Sequence, residues 1–378
     1  MKIVVYVTLL LLILTGCIER YDTKIEGIES ILVVEGIITG GTTQITLSKS
    51  VDIDVLYNDL VTVDNASVYV ACDDGTLSDA AFSSGNGIYM IPTGELKTDA
   101  KYRLIIYIND TVYQSEFISP TITPPVDISF MCDDNDIYIC VTTHGNDDQT
   151  GYYLWSFRED WEIHSYLLGD FIYVKTSFVP ILADLHSPAN KYYCWAKESS
   201  KTPILGMSEN LIDNDMRERK IWSFPRTDDR TSVLYRVQVK QNRIHKEGYD
   251  FYNNVKKNIE QTGSVFSHIP AEISGNIKCI SDPEIPVIGY VEVSTTTAKD
   301  IQYLNNKFWD PRNRNVECFQ CLVDVIGPSP MIAPKIKPVT VLYQVTPTGA
   351  YYVWEYCVDC TMIGGSKIKP EDWPTDNL

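Results

Sequence analysis

Along most of the chain, apolar and polar residues alternate at every second position. "TQITLS" sets Ile45 and Leu47 on one side, and "YRLIIYI" does the same with Tyr102, Leu104, Ile106 and Ile108. "YRVQVKQ" sets Tyr235, Val237 and Val239 against Arg236, Gln238 and Lys240. Successive side chains of an extended strand point to opposite faces, so this period predicts strands with one buried face. Across residues 31–118 such runs are short. They are punctuated by Gly40-Gly41, Asp74-Gly75, Asn86-Gly87 and Asn109-Asp110. Strands of this length between turn signals predict a β-sandwich of immunoglobulin-like or transthyretin-like type.

Residues 119–125, "SPTITPP", break the pattern. Their prolines fix φ and donate no ladder hydrogen bond, which predicts a stiff linker. Residues 126–378 read as a second, less regular β-rich domain. Its strands are expected in "DIYICVTT", "YYLWSFREDWEIH", "YRVQVKQ", "IPVIGYVEVS", "TVLYQV" and "AYYVWEY", the last two joined at the turn "TPTG". A helix is expected near 246–262, with Tyr252, Val255 and Ile259 on one face and Gly263 just past its end. A shorter helix is expected in "TAKDIQYLNNKFW". The fold class is therefore mainly β, with two sandwich-like domains and helical insertions in the second.

The first residues follow another rule. "MKIVVYVTLLLLILTGC" has one charge, Lys2, then an apolar run from Ile3 to Leu14, then Leu-Thr-Gly-Cys. The run is shorter than the roughly 20 residues of a membrane span. It fits a signal peptide over 1–16 whose cleavage exposes Cys17. Leu-x-Gly-Cys resembles a bacterial lipobox, which makes Cys17 the expected lipidation site and 17–30 a tether. Acyl chains bury methylenes at about 0.8 kcal/mol each, so such an anchor needs no protein helix. Residue 18 is Ile, not Asp, which points to the outer membrane; the membrane face stays open. The formal charge of −18 repels phosphates and excludes nucleic acid as a partner.

The order of segments is also informative: the lipobox, "LVVEGIIT", "YYLWSFREDWEI", "CWAKESS", "GNIKCISDPEIPVIGY" and the tail "CVDCTMIGGSKIKPEDW". Together they resemble domain-of-unknown-function family 4249, lipoproteins of Gram-negative anaerobes and their relatives. The resemblance implies an outer-membrane lipoprotein commonly encoded beside a TonB-dependent transporter. It supplies no activity and no catalytic residue to carry over.

Ten cysteines less Cys17 leave nine. Four form two C-x-x-C pairs, Cys318 with Cys321 and Cys357 with Cys360, 35 residues apart. In an exported domain disulfides form and persist. Staples between the pairs, worth roughly 3–4 kcal/mol, are the favoured reading. A four-thiolate zinc site is the alternative, against which the long spacer counts. A redox motif wants a helix N-terminus in a βαβ unit, whereas Cys357 follows a strand.

No catalytic set, metal site or cofactor site is read. His144, His164, His186, His245 and His268 fall in no ligand spacing. "GMSEN" lacks the closing glycine of a nucleophile elbow. The acidic runs at Asp133–Asp136 and Gly145–Gly151 lack calcium-loop spacing and read as solvated turns. Paired aromatics (Tyr152-Tyr153, Tyr192-Tyr193, Tyr351-Tyr352), with Trp155, Trp161, Trp195 and Trp354 nearby, put half of each pair in the core. The other half is available for a docking surface. The expected function is non-enzymatic: an accessory binding protein for a TonB-dependent β-barrel transporter, its ligand a peptide or glycan. A structural or adhesive envelope role is the alternative.

Overall fold

The computed structural model describes residues 31–50, 61–145, 150–168, 171–174, 177–180, 191–209, 211, 214–261, 275–304, 323–325, 340–346 and 349–374. Cys17, Gly263, His186, His268, Cys318 and Cys321 lie outside them. The first strands in chain order are β1 (Leu32–Ile38), β2 (Gly41–Lys49), β3 (Val61–Thr62), β4 (Ala66–Cys72), β5 (Ile88–Gly94), β6 (Tyr102–Ile108) and β7 (Thr111–Ser115). The next are β8 (Val126–Cys132), β9 (Asp136–Thr143), β10 (Tyr152–His164), β11 (Phe171–Val174), β12 (Ser177–Pro180), β13 (Tyr193–Ser199), β14 (Ile204–Met207), β15 (Met216–Pro225) and β16 (Leu234–Ile244). Helix α1 (Lys246–Gln261) follows, then β17 (Ile277–Cys279), β18 (Val287–Gly289), β19 (Glu292–Val293) and β20 (Thr296–Leu304). The C-terminal part adds β21 (Val323–Val325), β22 (Thr340–Thr346), β23 (Gly349–Trp354) and the one-turn helix α2 (Glu355–Val358).

Two β-sandwiches result. In the first, β18-β1-β2-β3, with β5 and β19, faces β17-β7-β6-β4. Alternate residues from both sheets, among them Val34, Ile45, Leu47, Val68, Tyr89, Leu104 and Ile106, interdigitate in one core. Full burial of such side chains contributes about 1.5–3 kcal/mol each. In the second, β13-β10-β16-β20, extended by β14, faces β15-β9-β8. Its core joins Trp155, Phe157, Tyr235, Val237 and Val239 to Ile137, Ile139, Val141 and Phe224. Among the described residues, no helix is long and apolar enough to cross a membrane.

The domain boundary differs from the expected 126–378. The segment 277–293 returns to the first sandwich. β17 pairs with β7, and β18 and β19 run parallel to β1. Asn276 pins it: its side chain bonds Val291 N and O at 2.8 and 2.9 Å, and its own carbonyl accepts from Glu116 N–H. A Cβ on Gly275 would lie 1.7 Å from Gly289 O, so only glycine lets these turns cross. "IPVIGYVEVS" is thus strand, as expected, but in the other domain.

The linker 119–125 is held on both sides. Thr123 N–H donates to Thr295 Oγ1 at 2.8 Å, and Arg243 N–H donates to Thr123 Oγ1 at 2.9 Å. Gln241 Nε2 and Thr297 Oγ1 both donate to Pro124 O. Two other expectations change. The segment expected to form a short helix in "TAKDIQYL" is β20, zipped along nine residues of β16. On α1 the buried residues are Gly248 and Phe251, while Ile259 stands 45% exposed. The "TPTG" hairpin is present: Thr346 pairs with Gly349.

Candidate functional site

Strand β10 decides the chemistry of the second sandwich. Tyr153, Trp155, Phe157, Glu159, Trp161 and Ile163 point inward; Arg158, Asp160, Glu162 and His164 point outward. The inward Glu159 is fully buried. Tyr235 Oη donates to its Oε2, and Arg230 Nε lies 3.1 Å from Oε1 as an ion contact without hydrogen-bond alignment. Burial pushes the Glu159 carboxyl up, against the pull of Tyr235 and Arg230, and it pushes the Tyr235 phenol well up. The Arg230 guanidinium also covers the Trp161 ring at 4.7 Å and pairs with Asp228 and Glu198. All members face one another across packed strands, a structural arrangement.

The tail wraps the β13 edge of this sheet, its first turn packing with Ile163 on the inward row and Trp373 reaching Glu162 on the outward row. Cys194 on β13 and Cys360 form a disulfide across 166 residues. For Cys360 this departs from the expected staple between the two C-x-x-C pairs, because its partner lies on β13. With Cys360 oxidised, a zinc site using all four thiolates is ruled out. Cys357 is also disulfide-bonded. Beside the staple, Asp359 accepts from Thr361 N–H and Oγ1 at 2.9 and 2.6 Å, capping the turn Cys360–Ile363, and pairs with Lys191. Gly364 then takes a left-handed conformation (φ 94°) that an L side chain rarely adopts. A Cβ on Gly365 would lie 2.4 Å from Cys194 Cβ. The glycines of "IGGSK" therefore serve the close approach of the tail to β13.

The tail next bonds the free edge of β13. Ser165 N–H donates to Tyr192 O and Ser200 N–H to Phe157 O, so even-numbered residues of β13 face β10. Trp195 points its N–H and C=O outward, where both bond Ser366 at 2.8 and 2.7 Å. Lys197, two residues on, presents its backbone to the same side, and among the described residues nothing takes those groups. Lys367 Nζ donates to Tyr193 O and lies 6.0 Å above the Trp195 ring; burial lowers its pKa. The tail ends with Trp373 buried, its Nε1 donating to Glu162 Oε2 at 3.2 Å beside Arg236.

Between this strap and the sheet lies a cavity of about 490 Å³. Arg158, Asp160, Trp195 and Lys197 form its floor, and Ile368, Lys369 and Glu371 part of its wall. Asp160 Oδ2 is shared by Arg158 and Arg236 at 3.3 and 3.2 Å. The buried indole N–H of Trp195 has no hydrogen-bond partner among the described residues. Ile368 stands 81% exposed on the rim. This size is typical of ligand sites, about 300–1,000 Å³. The arrangement offers donors, positive charge and an aromatic wall, and it suits recognition.

The other sequence candidates sit apart from this cleft or serve the scaffold. His164 Nε2 lies 2.6 Å from Glu162 Oε1 and packs on Tyr192 and Tyr193. His144 pairs with Asp215, and His245 with Glu292. Ser208 of "GMSEN" is buried and accepts from Gly151 N–H. Asp133 is satisfied by the N–H groups of its own turn and by Tyr138, which draw its pKa down to about 2. Of the aromatic pairs, Tyr153 is core while Tyr152 packs outside on Tyr249. The side chains of Tyr351 and Tyr352 lie outside the described residues. Cys194 was visible only as one cysteine of nine. Its strand parity, with Trp195 and Lys197 alternating about it, was the available signal.

Fold and site define a tandem β-sandwich protein whose C-terminal tail is strapped over one sheet. Within that class, the chain belongs to the family "Domain of unknown function (DUF4249)", whose model matches residues 18–300. Among curated proteins, none matches it in sequence. Among solved structures, a two-fibronectin-type-III-domain segment from chicken tenascin is similar at 11% identity, over 56% of this chain and 91% of that one, with a TM-score of 0.17.

Proposed function

We propose that the protein is a non-enzymatic, lipid-anchored outer-membrane protein that captures a ligand, a peptide or glycan fragment, in the strapped cleft and serves a TonB-dependent β-barrel transporter. The single observation carrying the binding role is the cleft itself: around one cavity stand exposed cations, and an indole N–H and a strand edge that no described residue takes. Asp133 and Ser208, by contrast, are hydrogen-bonded into the scaffold. Support for the anchor comes from the "LTGC" sequence at Cys17. Support for the transporter comes from the family resemblance alone, an associational warrant.

Affinity isolation of the full chain from detergent-solubilised outer membranes tests the reading. A β-barrel partner that co-purifies from wild-type cells, and is lost with Cys17→Ser, is expected. Repeated isolation without any β-barrel partner contradicts the transporter role. A deletion strain with normal growth on defined nutrients but lost attachment favours the adhesive role instead.

A further inference from the structure

We infer that the strapped cleft takes an extended peptide bearing carboxylate groups, held beside Lys197 on the free edge of β13. This names the ligand class of the site proposed above and rests on the cleft being that site. Three independent features of the cleft converge on it.

The first is charge. Arg158, Lys197 and Lys369 line the cavity with two carboxylates, Asp160 and Glu371, and Arg236 pairs with Asp160 from behind. The chain as a whole carries −18, so this is a positive island on an acidic protein. Such an island attracts an anion and repels little. Asp160 is already shared between two guanidinium groups, which leaves positive charge for an incoming carboxylate. Arginine suits that role, because its planar fork matches carboxylate geometry.

The second is the strand edge. The tail reaches the edge of β13 from Gly364, whose backbone is left-handed, and bonds it at Trp195 through Ser366. On the Gly364 side of that bridge, Lys197 offers an N–H and a C=O that no described residue takes. An extended peptide supplies the complementary pair at the same spacing, the mode of recognition in which a strand is added to a sheet edge. A sugar chain has no regular donor–acceptor pair of this kind, and Lys367 already stands above the Trp195 ring where a pyranose would stack.

The third is the orphaned donor. The Trp195 indole N–H is buried with no partner among the described residues, and buried polar groups are ordinarily satisfied. A ligand carbonyl or carboxylate oxygen supplies the acceptor.

The experiment is a titration of the full chain, purified in detergent, with fluorescein-labelled Ala-Asp-Val-Glu-Ala. Its Asn/Gln analogue and an oligogalacturonate of similar length are run beside it. The acidic peptide is expected to bind at least tenfold more tightly than the amide analogue, with a change in tryptophan emission. Lys197→Glu combined with Lys369→Glu is expected to weaken it at least tenfold without changing the melting temperature, while Lys101→Glu on the first sandwich leaves it unchanged. Equal binding of acidic and amide peptides overturns the inference. Cleft-dependent binding of oligogalacturonate, with none of peptide, also overturns it but leaves the cleft as a ligand site. The reading of the cleft as a ligand site fails separately, if cells carrying the Lys197→Glu/Lys369→Glu chain grow on every nutrient that the deletion strain cannot use.

Discussion

At the residue scale, the second core is organised by Gln241. Its Oε1 accepts from Trp155 Nε1 and Thr143 Oγ1 at 2.7 and 2.6 Å, and its Nε2 donates to Pro124 O at 3.0 Å. Gln241→Leu strands all three, and each unsatisfied buried group costs about 1–3 kcal/mol. A loss of about 3 kcal/mol or more is expected in urea unfolding followed by tryptophan emission. His245 sits where α1 begins. Its N–H and Nδ1 contact Glu292 at 3.1 and 3.0 Å, and the carboxylate raises its pKa above the ordinary value near 6.5. A raised folded pKa stabilises most below the unfolded pKa, and the gain is lost as pH rises through the folded value. The melting temperature should therefore fall as pH climbs past about 6.5, and His245→Asn should flatten that dependence. Gly275→Ala forces a Cβ onto Gly289 O and should cost about 3 kcal/mol or more, read as a lowered melting temperature.

At the element scale, the long strands were legible because alternation survives over many residues: β6, β10 and β16 sit as the period implies. Short elements were not. β17, β18 and β19 have two or three residues each, too few to declare a face, and only pairing across more than 160 residues of sequence assigns them to the first sandwich. In β20, Ile301 and Tyr303 pack on the second core, yet Ile301 with Leu304 also fits a helical turn. Short apolar runs carry both readings, and the β16 ladder chose strand. The cleft was half legible. The tail motif stood out, but Cys194, Arg158 and Lys197 gain meaning only when the tail folds onto β13. The disulfide should hold that fold. In Cys194→Ser/Cys360→Ser, amide exchange over residues 359–373 is expected to rise sharply while β4 and β6 stay protected, because a native cross-link of this kind is worth about 2–5 kcal/mol. Unchanged exchange in the tail would contradict the strap.

At the scale of the whole molecule, two sandwiches are tied by more than one chain crossing. The linker, the β19–β20 junction and the end of β16 share hydrogen bonds through Thr121, Thr123 and Ser294. In the proposed role, a ligand in the second sandwich is carried on a scaffold whose first sandwich follows the proposed anchor in sequence. The most direct test places a photo-activated cross-linking residue at position 368, on the cleft rim, in cells expressing the full chain. A discrete adduct is predicted there, absent when the probe stands at position 101 and lost with Lys197→Glu. No adduct at 368, or the same adducts from both positions, would contradict the assignment of the cleft as the binding site.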